Sequence, residues 1–318
     1  MRYIILTRFH SQHSQGEFVM RLAAAAAAAG DTLTIINPSE LMLDFSGGVV
    51  SQAGGNLPEC PVKYHDLPFP AADLIIPLAR WDDDFTWQVA ETLQAWGQPV
   101  FPPNRVPLGD HITMARLFAR KGVPTPRSWV LNSADQLTVI LPELTFPCIL
   151  RSRHGGKGRN LSVAQHSGEA MELAQRYASV GYPFVVQDLA QPWGEDIRAL
   201  VIGDEVIAAV QRFAPPGFVR PREAGNLRCQ VIQLTEEERK IILTASQIYG
   251  APFCTVNILR SSQGPLLLEV ARAPVLSELE SAIGGNLSAL IVSHLQTLAK
   301  QYGPGGKVIS LQRHTAAE

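Results

Sequence analysis

The sequence predicts an α/β unit followed by an α+β unit. Two observations carry that prediction. A strand–helix–strand series fills the first hundred or so residues, and a run of β segments joined by tight turns and broken by few helices fills the rest. Strand, helix, strand is one parallel crossover, whereas strand after strand across short turns builds an antiparallel sheet. A chain of 318 residues has room for two or three compact units at about 100–200 residues each.

Residues 3–7 are a short apolar run suited to a buried strand. Residues 15–29 predict a helix, because seven consecutive alanines carry the highest helix propensity and Gly30 supplies a stop. Residues 32–36 are β-branched and strand-like, and Asn37-Pro38-Ser39 reads as a turn or helix start. Residues 45–70 hold Gly47-Gly48, Gly54-Gly55 and several prolines, which predicts a loop or irregular hairpin. A buried strand at 73–78, a helix at 85–96 stopped by Gly97, and an edge strand at 99–101 complete a small open α/β domain over residues 1–103. It lacks the G-x-G-x-x-G fingerprint of a dinucleotide-binding unit.

Pro102-Pro103-Asn104 marks a boundary. Residues 104–186 predict a central lobe: a helix at 108–121 stopped by Gly122, strands at 129–131 and 148–151, a glycine-rich loop at 154–158, a returning strand at 161–164, a helix at 170–177, and a strand at 184–187 that ends at Asp188. Residues 187–302 predict a C-terminal lobe. Strands at 196–202 and 205–211 flank the Gly203-Asp204 turn, and a strand at 228–234 follows. The helix at 236–249 starts after Thr235 with Glu238 at the capping-box position. A hairpin pairs 255–260 with 266–270, and a helix at 289–302 closes the lobe. Residues 303–318, glycine-rich and then polar, read as a flexible tail.

Hydrophobic residues make up 46% of the chain and charged residues 18%, a composition that builds packed cores and excludes a disordered protein. A net charge of −2 and a pI near 6.5 argue against a nucleic-acid partner, and no polybasic segment points to a membrane surface. Four scattered cysteines, with no C-x-x-C pair, give neither a zinc spacing nor a disulfide framework, and predict reduced thiols. His10 and His13 read as a metal pair or as two histidines of a polar loop. The opening apolar run is too short for a signal peptide and is broken by Arg8; residues 22–29 fall short of the ~20 that a bilayer span needs. The expectation is a soluble cytoplasmic protein.

Three constellations can carry chemistry. In Arg151-Ser152-Arg153-His154-Gly155-Gly156-Lys157-Gly158-Arg159, glycines bring backbone N–H groups close to an anion and four cations surround it. Either a lid over phosphates or a solvated basic hairpin fits. No Ser or Thr follows Lys157, so this is not a Walker A loop. Gln187-Asp188-Leu189 with Asp196-Ile197-Arg198 offers carboxylates to ribose or amine hydrogens and a guanidinium to phosphate, or else makes ordinary surface ion pairs. Asn257 and Glu269 on adjacent strands offer oxygens to Mg²⁺, or Glu269 pairs with Arg260 or Arg272.

Taken together, these blocks resemble the ATP-grasp superfamily and, within it, the RimK-like branch of glutamate ligases. The resemblance runs from about residue 105 to 299 and rests on Ala119-Arg120-Lys121-Gly122-Val123-Pro124, the glycine loop, Asp196-Ile197-Arg198, Val201-Ile202-Gly203-Asp204-Glu205-Val206-Ile207-Ala208-Ala209, Ile258-Leu259-Arg260-Ser261 with Gly264-Pro265-Leu266, and Leu268-Glu269-Val270. The first domain also fits that family's N-terminal domain. The resemblance implies a two-lobed ATP-grasp fold with ATP held between the lobes. It also implies activation of a carboxylate as an acyl phosphate, which an amine then attacks.

By the same resemblance, Gln187, Asp188 and Leu189 lie at the adenine-side hinge and Asp196 at the ribose. His111, Arg151, Lys157, Arg220 and Arg222 fall near the phosphates; Arg198, Arg212 and Arg220 are assigned to catalysis; Asn257, Glu269 and Ala271 fall on the Mg²⁺-ligand positions. The sequence departs from the family at several of these. His111 and Arg151 replace lysines, Asn257 replaces an aspartate, Ala271 replaces an asparagine, Arg272 and Ala273 replace small polar residues, and Asn226-Leu227 replaces a glycine pair. Arg272 is a candidate to supply part of a missing metal's charge. The first expectation is an ATP-dependent ligase that joins an amine to an amino-acid, peptide or protein carboxylate. The alternative is a pseudoenzyme that keeps nucleotide or partner binding. A homo-oligomer stays open, and bound ATP is expected between the strand ending at Gln187 and the Asn257–Glu269 hairpin.

Overall fold

The computed structural model describes residues 1–8, 14–46, 59–79, 83–103, 111–152, 161–216, 218, 221 and 227–303. His10, His13, Lys157, Arg220, Arg222 and all but the first two residues of the glycine-rich constellation lie outside these. The chain forms two compact units, one of 1–79, 83–105 and 286–318, the other of 80–82 and 106–285.

In the first unit, β1 (Arg2–Leu6), α1 (Ser14–Ala28) and β2 (Thr32–Ile36) form the predicted crossover, and a 3₁₀ turn (Pro38–Glu40) follows. Three short antiparallel strands, β3 (Leu41–Leu43), β4 (Val62–Tyr64) and β5 (Leu67–Pro68), give the described ends of the glycine-rich stretch hairpin form. The strand β6 (Leu74–Pro77) pairs parallel to β1, giving the order β2-β1-β6. Its four residues are all buried, as a parallel strand covered on both faces requires. One face packs Ile4, Leu6 and Ile75 against Val89, Ala90 and Leu93 of α2 (Asp84–Ala95). The edge strand expected at 99–101 is reduced to a single parallel bridge between Ile75 and Val100.

The second unit opens with α3 (His111–Arg120). A four-stranded antiparallel sheet, ordered β7-β10-β8-β9, then uses β7 (Ser128–Leu131), β8 (Cys148–Ser152), β9 (Leu161–Ala164) and β10 (Phe184–Asp188). The helices α4 (Asp135–Ile140) and α5 (Ser167–Ala178) share its core through Leu137, Ile140, Ala170 and Ala174. A five-stranded antiparallel sheet, ordered β13-β12-β11-β14-β15, uses β11 (Glu195–Ile202), β12 (Glu205–Phe213), β13 (Arg228–Val231), β14 (Phe253–Ser261) and β15 (Gly264–Ala271). The helix α6 (Glu236–Tyr249) covers one face, with the expected capping box between Thr235 and Glu238. β13 stops at Val231, short of the expected residue 234. Met114 and Phe118 of α3 insert into this second core beside Ile197, Val256 and Ile242. The backbone N–H of Leu267 donates to the carbonyl of Pro124 at 2.7 Å.

Two elements differ from the sequence reading. A short helix, α7 (Ser277–Ile283), lies against β12 and β13 where no element was expected. The last helix, α8 (Leu287–Tyr302), was expected to close the C-terminal lobe but belongs to the first unit, where it packs on α1 and β6. Gln296 of α8 also donates to Asp31 at 2.8 Å.

Candidate functional site

The alternation of β11 separates two chemistries. Ile197, Ala199 and Val201 point into the core under α6. The intervening Asp196 and Arg198 therefore point to the other face. Residues directly opposite in an antiparallel ladder share a face, and the register supplies the rest: Arg212 opposite Asp196, Asn257 opposite Arg198, Glu269 opposite Asn257, and Cys229 opposite Arg212. Five of the residues singled out from the sequence, Asp196, Arg198, Arg212, Asn257 and Glu269, are thus brought to one sheet face across four strands.

Asp196, Arg198, Arg212 and Asn257 form a connected network. Arg212, only 1% exposed, donates from Nε to Asp196 Oδ1 at 2.7 Å and from Nη2 to Oδ2 at 2.6 Å. This parallel two-bond fork is the strongest form of carboxylate pairing. Glu278 of α7 completes it, its Oε2 accepting from Arg212 Nη1 at 2.9 Å and from Arg198 Nη1 at 3.0 Å. Arg198 Nε in turn donates to Asn257 Oδ1 at 3.2 Å. Burial works against the Arg212 charge, but Asp196 and Glu278 outweigh it and hold the guanidinium above its ordinary value. For Arg198, burial and the neighbouring Arg212 prevail over Glu278, Glu269 and Asp196, so its pKa is lowered. Burial beside this network likewise raises the Cys229 thiol.

Glu278 is the residue that sequence reasoning missed. The only signal was a faint one: Leu276, Leu279 and Ile283 at helical spacing, ended by Gly284. Asp196 and Arg198 are not surface ion pairs, since both are 7% exposed. The Asp196 carboxylate accepts both bonds of the Arg212 fork. Arg272 lies on the α6 side, buried and hydrogen-bonded to Tyr249 of that helix, and so not with Asn257 and Glu269. Arg260 pairs with Glu238.

On the four-stranded sheet, Cys148, Leu150, Phe184 and Val186 face the core under α5. Arg151, which is opposite Val185, and Gln187 lie on the other face. Gln187 Nε2 donates to Ser128 Oγ at 2.8 Å. The carboxylate of Asp188 is engaged at the strand end: Oδ2 accepts from Arg127 Nε at 2.9 Å and Oδ1 from the Thr145 N–H at 3.2 Å. Leu189, half-buried, follows directly. His111 is the first residue of α3 and half-buried. Lys157, Arg220 and Arg222 lie outside the described residues.

The side chains at the three positions that the resemblance assigns to Mg²⁺ make a poor ligand set for that ion. Such an ion takes oxygen ligands in near-octahedral geometry. Asn257 Oδ1 already accepts from Arg198, the Ala271 side chain has no ligating atom, and Glu269 is the single carboxylate among those three positions. No group of three His, Cys, Asp or Glu side chains suited to a metal ion occurs among the described residues. Among them, too, no helix is long and apolar enough to cross a membrane.

The chain is similar to known proteins along most of its length. The chain is 26% identical over 305 residues to a probable alpha-L-glutamate ligase of Marinomonas sp. (strain MWYL1), covering 94% of this chain and 96% of that protein. Its fold is similar to that of the ATP-grasp ligase PsnB in complex with a minimal precursor, at a TM-score of 0.68, 15% identity and 93% and 99% coverage. PsnB has also been solved with Mg and ADP. A RimK domain ATP-grasp protein from Sphaerobacter thermophilus DSM 20745 is similar at a TM-score of 0.65 and 15% identity, with 93% of this chain and all of that one covered. The RimK-like ATP-grasp domain description matches residues 109–295, and the chain belongs to that family.

Proposed function

We propose that this protein is an ATP-dependent carboxylate–amine ligase whose reacting groups meet on the polar face of the five-stranded sheet. The observation that carries the reading is the pair of buried guanidiniums, Arg198 and Arg212, fixed there by Asp196 and Glu278. A carboxylate oxygen attacks the γ-phosphorus of ATP and ADP leaves. An amine nitrogen then attacks the acyl carbon, phosphate leaves and the amine gives up a proton. Both steps gather negative charge at phosphoryl oxygens, and preorganised cations in a low-dielectric setting lower that barrier most effectively.

Nucleotide binding between Gln187 and the Asn257–Glu269 pair accounts for the polar faces of both sheets. Arg151 would then reach the phosphates from β8. The Marinomonas relative, a probable alpha-L-glutamate ligase, supports glutamate as the amine. PsnB, solved with its precursor peptide, supports a peptide or protein carboxylate as acceptor. A supply of ATP favours the cytoplasm.

The test is ADP release with ATP, magnesium salt, glutamate and a panel of amino acids and peptides whose carboxylates carry ¹⁸O. Transfer of one ¹⁸O to inorganic phosphate is the expected signature of an acyl phosphate. Absence of ADP release across the panel, with the protein folded by circular dichroism, defeats the ligase reading and favours a nucleotide-binding pseudoenzyme.

A further inference from the structure

We infer that the Arg198 guanidinium stands in for the divalent cation at the Asn257 position, so that this chain binds ATP without a metal ion held by these residues. The inference rests on the ligase reading for where the nucleotide sits and goes beyond it in naming what neutralises the phosphates.

The first ground is competition for an oxygen. A neutral amide offers a cation only its carbonyl oxygen, and Asn257 Oδ1 accepts a hydrogen bond from Arg198 Nε at 3.2 Å. A metal ion there would have to displace the guanidinium or share its oxygen with a like charge. The second ground is that the guanidinium is anchored. Arg198 is 7% exposed, and its Nη1 donates to Glu278 Oε2 at 3.0 Å. Glu278 is itself fixed by Arg212, which is fixed by the Asp196 fork. Swinging Arg198 aside would unpair a buried charge, the costly direction for such a network. The third ground is the sequence at the two other positions that the resemblance assigns to the metal: the Ala271 side chain has no ligating atom, which leaves Glu269 as the lone carboxylate among the three.

A guanidinium suits this position chemically. It is planar, permanently charged and presents five N–H donors, so it engages phosphate oxygens while bonded elsewhere. Asn257 suits the guanidinium in turn, because an amide oxygen accepts from it without adding a third carboxylate beside Glu269 and Glu278. Glu278 is the positioning residue, since it sets where Arg198 lies.

Calorimetric titration of the full chain with ATP, once in EDTA and once with magnesium, tests this directly. The expected result is an affinity in EDTA within about threefold of that in magnesium. Replacing Arg198 by Met should weaken binding in EDTA at least about tenfold. Arg198→Lys, which keeps the charge without the fork, should fall between, and it serves if the Met variant does not fold. Binding in magnesium that vanishes in EDTA overturns the inference and leaves the ligase reading intact. Binding in neither buffer overturns both. Unchanged affinity of the folded Lys and Met variants in EDTA also overturns it.

Discussion

Asp196 and Arg212 are the most demanding pair in the described structure. Each is nearly excluded from water, and each satisfies the other through two short bonds at 2.6 and 2.7 Å. A buried pair of this kind adds little over a well-packed apolar pair, but losing one partner strands the other charge. Asp196→Asn keeps the shape of the side chain and removes its charge, leaving Arg212 with Glu278 alone. Urea unfolding should report a loss of about 3–5 kcal/mol. A loss under about 1 kcal/mol would mean that water reaches Arg212, against its burial. Glu278→Gln tests the other arm. The half-exposed setting of Glu278 limits its effect on stability, so its signature should be weakened ATP binding at nearly unchanged urea midpoint.

At the scale of elements, α6 shows how a local signal and a long-range contact combine. Thr235 Oγ1 accepts from the Glu238 N–H at 3.2 Å, and the Glu238 carboxylate accepts from the Thr235 N–H at 2.9 Å. Arg260 of β14 then clamps the same carboxylate, at 2.5 Å from Nε and 3.0 Å from Nη2. Burial raises the pKa of Glu238, but Arg260 and the Thr235 N–H prevail and hold it below its ordinary value of 4.5. A carboxyl depressed in the folded state contributes stability that is present above its unfolded pKa and is lost as pH falls through the folded one. Glu238→Gln should therefore cost about 1 kcal/mol at neutral pH, a modest figure because Arg260 is well exposed. Wild type and variant should converge once the pH drops below the carboxylate range. A gap that stays constant with pH in urea titrations would assign the effect to packing.

The capping box of α6 was legible in the sequence because Thr235 and Glu238 are three residues apart and the pattern is local. The register that gathers Asp196, Arg198, Arg212, Asn257 and Glu269 was legible in part. Strand alternation gives the face of each residue and the two tight turns give the β11–β12 and β14–β15 pairings, but the pairing of β11 with β14 joins residues far apart in sequence. Glu278 was not legible, because its role depends on α7 folding back over β12 and β13. A helix of seven residues with no side-chain N-cap leaves almost no propensity signal. Arg272 misled for the same reason: its side of the sheet follows from the end of β15, which no local pattern fixes.

The whole molecule raises a question of folding order. The first unit begins at Met1 and is finished only by α8, after the entire second unit has been synthesised. α8 buries Leu287, Ile291, Val292, Leu295 and Leu298, and Gln296 joins Tyr3 and the N-terminal amine around Asp31. At about 1.5–3 kcal/mol for each large apolar side chain, these residues together match the ~5–15 kcal/mol net stability of a typical domain. The alanine run of α1, whose Ala26 is fully buried, has too little side-chain bulk to make a core of its own. A chain ending at residue 285 should therefore lose the first unit and keep the second. Hydrogen exchange is the measurement: amides of β1, β2 and β6 should exchange fast in the truncated chain, while those of β11 and β14 stay protected. Slow exchange in β1 and β6 after truncation would mean that α1 and α2 suffice to hold the parallel sheet, and that α8 is an accessory to it.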